Sequence, residues 1–180
     1  SFTDSIFISS GPTASFALSS NTCFNLNDSI SFTDQSTSPS GSITSWIWNF
    51  GDGGSSVAQN PYHTFDTTGT FNVQLTITAG CAKDTVIPVT IRETPVADFT
   101  AISACAGAVV PFTDLSSSPG SGIQNWQWNF GDSTTDTLQN PSHNYAVGGT
   151  FNVSLTVQNS QGCADFYTLP LVIKSTPQAA

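Results

Sequence analysis

Apolar and polar residues alternate with a period of two along several short segments of the chain. The alternation is clearest over residues 71–77, and it returns over residues 151–157. A period of two sends alternate side chains to opposite faces of an extended strand, so that one face is buried. The apolar positions are Phe71, Val73, Leu75 and Ile77 in the first segment and Phe151, Val153, Leu155 and Val157 in the second. Both segments therefore predict half-buried β-strands.

Further strands are predicted at residues 29–34, 43–50 and 85–91. Clusters of Ser, Thr, Pro and Gly, as at residues 36–41, mark the turns between them. No window of helical length carries apolar residues at the three- and four-residue spacing of a helix without Gly, Pro or β-branched interruptions. About seven short strands in each half of the chain predict an all-β fold of the immunoglobulin-like sandwich type.

The chain contains an internal duplication. Trp-Asn-Phe-Gly-Asp at residues 48–52 recurs at residues 128–132, and the segments around it recur at the same offset without a gap. The duplication predicts two tandem domains, at residues 12–93 and 94–174. Residues 1–11 are then the end of a preceding repeat or linker, and residues 175–180 the start of a following repeat or linker.

Three ordered motifs in each half resemble a known family. They are Trp-x-Phe-Gly-Asp, Asn-Pro-x-His-x-Phe/Tyr and Gly-Thr-Phe-x-Val-x-Leu-Thr, ending at Asp52, Phe65 and Thr76 in the first half. Together they resemble the polycystic kidney disease (PKD) domain of the bacterial cell-surface or secreted type. The resemblance implies a β-sandwich used as a repeated extracellular module, in surface proteins and secreted hydrolases, usually without catalysis of its own.

Charge and composition narrow the functions open to the chain. Twelve acidic residues against three basic ones give a formal net charge of -9. So few cations cannot neutralise phosphates, which excludes nucleic acid as a partner. There is also no apolar run of about 18 residues, so no direct membrane insertion is predicted. A low content of charged residues and an abundance of hydroxyls and amides favour an extracellular or bacterial cell-surface location.

The duplicated motifs predict structural roles for the side chains that occur in both halves. Trp48 and Phe50 share the parity of Trp46, so all three point to one face of a strand, and Gly51-Asp52 reverses the chain. We expect the His63 imidazole to bond a backbone group or a hydroxyl near the edge of the sandwich. The same expectations hold in the second half for Trp128, Phe130, Gly131, Asp132 and His143.

Trp46 and Trp126 admit two interpretations. By strand parity they are buried together with Trp48 and Trp128. If the strand twists or bulges there, their rings are exposed and could stack on a sugar or a collagen-like ligand.

No catalytic residue is predicted. The chain has no Gly-x-Ser-x-Gly elbow, each histidine lacks a second histidine beside it, and a small sandwich rarely encloses a cleft between paired carboxylates. Calcium is the one cofactor that the sequence suggests, because hard oxygen ligands are available from Asp34, Asp52, Asp114, Asp132 and Asp136. Without an Asp-x-Asp-x-Asp loop, capping of turns is the favoured role of these carboxylates, and no cofactor is predicted.

The four cysteines, Cys23, Cys81, Cys105 and Cys163, predict two disulfides and an oxidising compartment. Equal spacing favours the pairs Cys23–Cys81 and Cys105–Cys163. In an ideal immunoglobulin topology, however, the first turn and the last hairpin lie at opposite poles, which would favour bridges between neighbouring repeats. Equal spacing does not decide, because any offset along an array preserves it.

Hydroxyl residues follow aspartate at five places and resemble acceptor sites for O-linked glycans in some bacterial secreted proteins. These candidate glycosylation sites are Ser5, Ser29, Thr67, Thr85 and Thr137.

Two functions fit this sequence. In the first, the repeats form a non-catalytic structural or adhesive stalk or filament of a bacterial surface protein, with neighbouring repeats, copies of the same protein or surface glycans as partners. In the second, they are accessory substrate-binding or spacer modules of a large secreted hydrolase acting on chitin, collagen or another polymer. An exposed row of aromatic rings favours the second function, and matching burial of the aromatics in both halves favours the first.

Overall fold

The chain folds into two compact units, Ser1–Arg92 and Glu93–Ala180. They are seen in a computed structural model that describes residues 11–19, 22–24, 29–39 and 41–176. Glu93 makes its contacts within the second unit: its carboxylate accepts the Gly120 N–H at 2.7 Å and its carbonyl accepts the Asn159 side-chain amide at 2.8 Å.

The first unit contains seven described strands in two sheets. The strands are β1 (Phe16–Leu18), β2 (Ile30–Asp34), β3 (Ser45–Asn49), β4 (Ser55–Ser56), β5 (Tyr62–His63), β6 (Gly69–Ala79) and β7 (Cys81–Ile91). One sheet has the order β1-β2-β5 and the other β4-β3-β6-β7, with antiparallel pairing throughout.

The second unit repeats this arrangement. Its strands are β8 (Phe99–Ala101), β9 (Val109–Asp114), β10 (Ile123–Asn129), β11 (Thr135–Asp136), β12 (Ser142–Asn144), β13 (Gly149–Asn159) and β14 (Ala164–Ile173). The sheet orders are β12-β9-β8 and β11-β10-β13-β14. The predicted all-β class and the pair of immunoglobulin-like sandwiches are therefore confirmed.

Each unit buries the apolar face that the alternation predicts. In the first unit Val73, Leu75 and Ile77 of β6 are fully buried, and they share one cluster with Trp48 of β3 and Phe32 of β2. The second unit has an equivalent cluster, centred on Trp128. Ile47, which has the opposite parity on β3, is 55% exposed, as expected for the outer face.

The last strand of each unit, β7 or β14, runs nearly the whole length of its sandwich. β7 starts at Cys81, directly after a tight turn, whereas the sequence pattern begins this strand only after Asp84. Its far end lies beside Cys23, which forms a parallel bridge with Arg92. Eleven residues of extended chain span about 35 Å. Residues next to the two ends of β7 are thus separated by the length of the sandwich.

The corner after β3 requires glycine at its first position. Gly51 has a φ of +83°, and a Cβ placed on it would lie 2.9 Å from the backbone oxygen of Asn72. Gly131 repeats both features, with a φ of +81° and a distance of 2.8 Å to the Asn152 oxygen. Only glycine satisfies the backbone angle and the close approach to the neighbouring strand together.

We predict that Gly51→Ala destabilises the first unit by about 3 kcal/mol, because it adds a steric overlap to an unfavourable backbone angle. Gly53→Ala is the matched control. Gly53 also has a positive φ, of +99°, but no atom lies within 4 Å of a Cβ placed there. In urea unfolding, the control should lose only about 1 kcal/mol of unfolding free energy. Equal losses in the two variants would contradict the close-approach argument.

Candidate functional site

The duplicated motif builds a continuous column of rings in each unit. Trp48 stacks on Phe50 with ring centroids 6.3 Å apart, and Phe50 stacks on the His63 imidazole at 3.9 Å and an interplanar angle of 4°. His63 then meets Phe65 edge-on at 4.7 Å, and Phe65 contacts Phe71 at 4.5 Å. The column thereby ties together β3, β5 and β6. The second unit has the same column through Trp128, Phe130, His143, Tyr145 and Phe151.

The histidine closes the column against the turn aspartate. His63 Nε2 lies 2.6 Å from Asp52 Oδ2, and the other carboxylate oxygen, Oδ1, accepts the Gly54 N–H at 2.9 Å. Asn49 Oδ1 accepts the Gly51 N–H in the same turn at 2.9 Å. The Asp52 carboxylate therefore caps the turn, as the sequence leads us to expect. The partner of the His63 imidazole is this carboxylate, whereas the sequence leads us to expect a backbone group or a hydroxyl.

The second unit varies the same site with hydroxyl groups. His143 Nε2 lies 2.7 Å from Asp132 Oδ2. Thr134, which stands where the first unit has Gly54, donates its hydroxyl to Asp132 Oδ1 at 2.5 Å and lies 3.3 Å from His143 Nε2. Tyr145 adds a buried hydrogen bond from its hydroxyl to the Phe130 carbonyl at 3.0 Å. Burial, together with the nearby Asp132 charge, raises the pKa of Tyr145 to about 12.

A second carboxylate site holds the outer tryptophan of β3. Asp34 Oδ2 accepts the indole N–H of Trp46 at 2.7 Å and the Gln59 side-chain amide at 3.2 Å, while Oδ1 accepts the Ser36 N–H at 2.9 Å. Trp46 is half-buried and packs against the edge of the core. Asp114 holds Trp126 in the same way, at 2.7 Å. Both aspartates belong to a Phe-Thr-Asp segment that occurs at residues 32–34 and again at residues 112–114, and this recurrence is the signal in the sequence that could have found the site.

The inner tryptophans are fully enclosed. Trp48 and Trp128 have no exposed surface, and each indole N–H donates to a backbone carbonyl at 2.9 Å, of Ala58 and Leu138 respectively. Neither ring can reach a ligand. The outer pair, Trp46 and Trp126, therefore provides the only ring surface of these four that solvent can touch.

Hydrogen bonds lower the pKa values of the turn carboxyls. Burial alone would raise the pKa of Asp52, but hydrogen bonds from the His63 imidazole and the Gly54 N–H outweigh it and hold that pKa below its ordinary value. The pKa of Asp132 is lowered likewise: burial opposes the shift, and Thr134 and His143 cause it. The pKa of Asp34 is also lowered, against burial, mainly by its bonds with Ser36.

The described residues contain no cluster of three or more His, Cys, Asp or Glu side chains arranged to hold a metal ion. Two of the carboxylates that could offer ligands to calcium, Asp34 and Asp52, accept hydrogen bonds from the protein. Within the same residues there is no helix long and apolar enough to cross a bilayer.

The cysteines do not pair within a repeat as their equal spacing suggests. Cys23 and Cys163 are disulfide-bonded, whereas Cys81 and Cys105 are free, exposed thiols. The prediction of two disulfides, with the favoured pairs Cys23–Cys81 and Cys105–Cys163, is therefore wrong: two of the four cysteines are bonded, and these two belong to different repeats. The reason is the length of the last strand: Cys23 lies beside its far end and Cys81 at its start, about 35 Å apart, whereas a disulfide needs Cα atoms within about 7 Å.

Three of the five candidate glycosylation sites are exposed. These are Ser29, Thr67 and Thr137, while Thr85 is half-buried on β7 and Ser5 lies outside the described residues. Modification at these hydroxyls stays a prediction.

Each unit is thus an immunoglobulin-like sandwich built around one tryptophan-centred motif, and the chain is a tandem pair of such repeats. The PKD domain family matches residues 9–91 and 92–172. The chain belongs to this family.

Two curated relatives align with parts of the chain. Collagenase ColA of Bacillus cereus is 40% identical over 58 residues, which are 32% of this chain and 6% of the relative. A microbial collagenase of Vibrio alginolyticus is 39% identical over 54 residues, which are 29% of this chain and 7% of the relative. The chain therefore covers only a small fraction of either enzyme.

Solved structures of single PKD domains are similar to one unit. The PKD1 domain of Vibrio anguillarum Epp has 25% identity and a TM-score of 0.43, covering 46% of this chain and 96% of that domain. The PKD1 domain of the Vibrio cholerae metalloprotease PrtV has 28% identity and a TM-score of 0.42, covering 45% and 98%.

We predict that the turn aspartates make the fold sensitive to acid. A carboxyl whose pKa is lowered by folding stabilises the protein above its unfolded pKa of about 3.9, and that contribution is lost as the pH falls through the folded pKa. The Asp52→Asn, Asp132→Asn double variant should therefore lose less unfolding free energy than the wild type as the pH falls below about 4. Urea titrations at a series of pH values measure this slope, which is independent of the variant's overall stability. Parallel curves for the two proteins would contradict the prediction.

Proposed function

We propose that the chain is a non-catalytic accessory module of a larger secreted bacterial hydrolase, and that it holds a catalytic domain at an insoluble polymer. The observation that carries this proposal is the family membership of both units, combined with the identity of the aligned relatives, which are collagenases. Fibrous collagen is the polymer that these relatives point to.

The geometry of the histidines supports a non-catalytic role. In a hydrolytic triad, one imidazole nitrogen faces the carboxylate and the other faces the nucleophile. Here the Asp132 carboxylate and the Thr134 hydroxyl approach the same nitrogen, Nε2 of His143. The first unit has Gly54 in place of the hydroxyl. The imidazole therefore serves the turn and the ring column, and the arrangement is not a proton relay.

Charge and cysteine chemistry support an extracellular location. The chain carries a formal net charge of -9, and two of its cysteines are disulfide-bonded. Disulfides persist in oxidising compartments, of which the outside of the cell is one.

The edge of the core beside β10 offers a surface for polymer contact. Trp126 lines a shallow recess together with Gln127 and Val157, and the Asn125 and Gln158 side chains bond each other at its rim at 3.1 Å. A half-exposed ring beside amide groups suits stacking and hydrogen bonding to a polymer strand.

The stalk remains a second candidate, because one observation favours it. Both units bury their motif aromatics in the same way, and the strongly exposed aromatics are not repeated: Tyr62 and Phe166 are 73% and 69% exposed, whereas Ser142 and Asp84 occupy the equivalent positions. A repeated unit without a repeated binding surface fits a spacer. Surface glycans and copies of the same protein are the partners of that function.

We predict that the 180-residue chain is depleted from solution by fibrillar collagen and does not hydrolyse it. Trp126→Ala should weaken this depletion several-fold, and Trp46→Ala, at the equivalent position of the first unit, is the matched control. Chitin serves as the comparison polymer, and circular dichroism checks the fold of each variant. Absence of binding to either polymer would contradict polymer positioning and favour the stalk. Hydrolysis of collagen by the chain would contradict the non-catalytic role.

A further inference from the structure

The cysteines occupy two positions in each repeat. One position precedes the second strand of the unit, at Cys23 and Cys105, and we call these the loop cysteines. The other directly precedes or begins the last strand, at Cys81 and Cys163, and we call these the hairpin cysteines. The turns before the hairpin cysteines differ in length, since Cys81 pairs with Ala79 across Gly80, whereas Cys163 follows a turn at residues 160–162. The loop cysteines lie on the same backbone bridge in both repeats. Cys23 forms a parallel bridge with Arg92, and Cys105 forms one with Lys174.

At each position one copy is bonded and the other is free. Of the loop cysteines, Cys23 is disulfide-bonded and Cys105 is a free, exposed thiol. Of the hairpin cysteines, Cys163 is disulfide-bonded and Cys81 is free and exposed. Cys23 shows that the loop backbone, which Cys105 shares, accepts a disulfide, and Cys163 shows that a cysteine at the start of the last strand accepts one.

The partner of a free thiol must come from outside its own repeat. The loop and hairpin positions of one repeat lie at opposite ends of its last strand, about 35 Å apart, and a disulfide spans at most about 7 Å between Cα atoms. Each free thiol is therefore presented at one end of a sandwich, where only another molecule or another repeat can reach it.

We propose that Cys81 and Cys105 are covalent attachment sites through which this chain joins a second copy of itself. In the joined species a hairpin cysteine, Cys81, of one copy is bonded to a loop cysteine, Cys105, of the next. One free thiol of each kind per chain makes the contact heterologous, so that it propagates from copy to copy instead of closing on itself as a symmetric dimer. This proposal goes beyond the accessory function and does not depend on it.

The bond forms by thiol–disulfide exchange with a low-molecular-weight disulfide such as oxidised glutathione. The Cys81 thiolate attacks one sulfur of the oxidant and expels one glutathione thiolate, which leaves a mixed disulfide. The Cys105 thiolate of the second copy then attacks the Cys81 sulfur and expels the second glutathione. Two protein thiols lose two electrons and two protons, and the oxidant gains them as two glutathione thiols.

The test uses the whole chain and two single variants, Cys81→Ser and Cys105→Ser, each of which keeps one of the two free thiols. Wild type, each variant alone and an equimolar mixture are incubated with oxidised glutathione and separated by non-reducing electrophoresis. Wild type should give a ladder of covalent oligomers that dithiothreitol abolishes. The mixture should stop at the dimer, with a several-fold excess of dimer over either variant alone. Peptide mass spectrometry of that dimer should find the Cys81–Cys105 linkage, with Cys23 and Cys163 still bonded.

Three results would overturn the proposal. The first is that each variant alone dimerises as well as the mixture, which indicates random collision of exposed thiols. The second is a wild-type monomer in which Cys81 and Cys105 are bonded to each other. The third is that the free thiols persist, or carry only glutathione, at every protein concentration. Circular dichroism of the variants, whose substitutions lie at exposed positions, excludes misfolding as the cause.

Discussion

The structure of each repeat depends on the contact between the turn aspartate and the histidine that ends the ring column. Asp52 fixes the corner after β3 through the Gly54 N–H, and His63 fixes β5 through its stack on Phe50. Their bond joins the two, so that a strand of one sheet is locked to the corner of the other. Asp132 and His143 do the same in the second repeat.

This contact explains why the motif residues stay together in sequence. Trp48 and Phe50 need the parity of one strand to face the core, and Gly51 must follow at once, because the chain turns there against Asn72. The aspartate comes next, where one carboxylate oxygen accepts the Gly54 N–H and the other bonds the His63 imidazole. A motif whose histidine and aspartate resemble catalytic groups is accounted for by architecture, which agrees with the non-catalytic role proposed above.

Much of this fold could be predicted from the sequence, because a period of two and a gapless duplication are direct consequences of half-buried strands and repeated domains. The carboxylate partner of His63 was not predicted, since the residues are separated in sequence and meet only when β5 returns beside the corner. Strand parity placed Trp46 on the buried face, but its position at the rim leaves it half-exposed and bonded to Asp34. The cysteine pairing depends on the length of the last strand, and equal spacing carries no information about that length.

The most direct test of this account is a double-mutant cycle on the aspartate and histidine, carried out separately in each repeat. Asp52→Ala, His63→Ala and the double variant are compared by urea unfolding near neutral pH, and the same set is made for Asp132 and His143. We predict a coupling free energy on the order of 1 kcal/mol in both repeats, as for hydrogen-bonded pairs that are partly shielded from solvent. Additive losses in both repeats, with no coupling, would contradict the claim that this contact holds the repeat together.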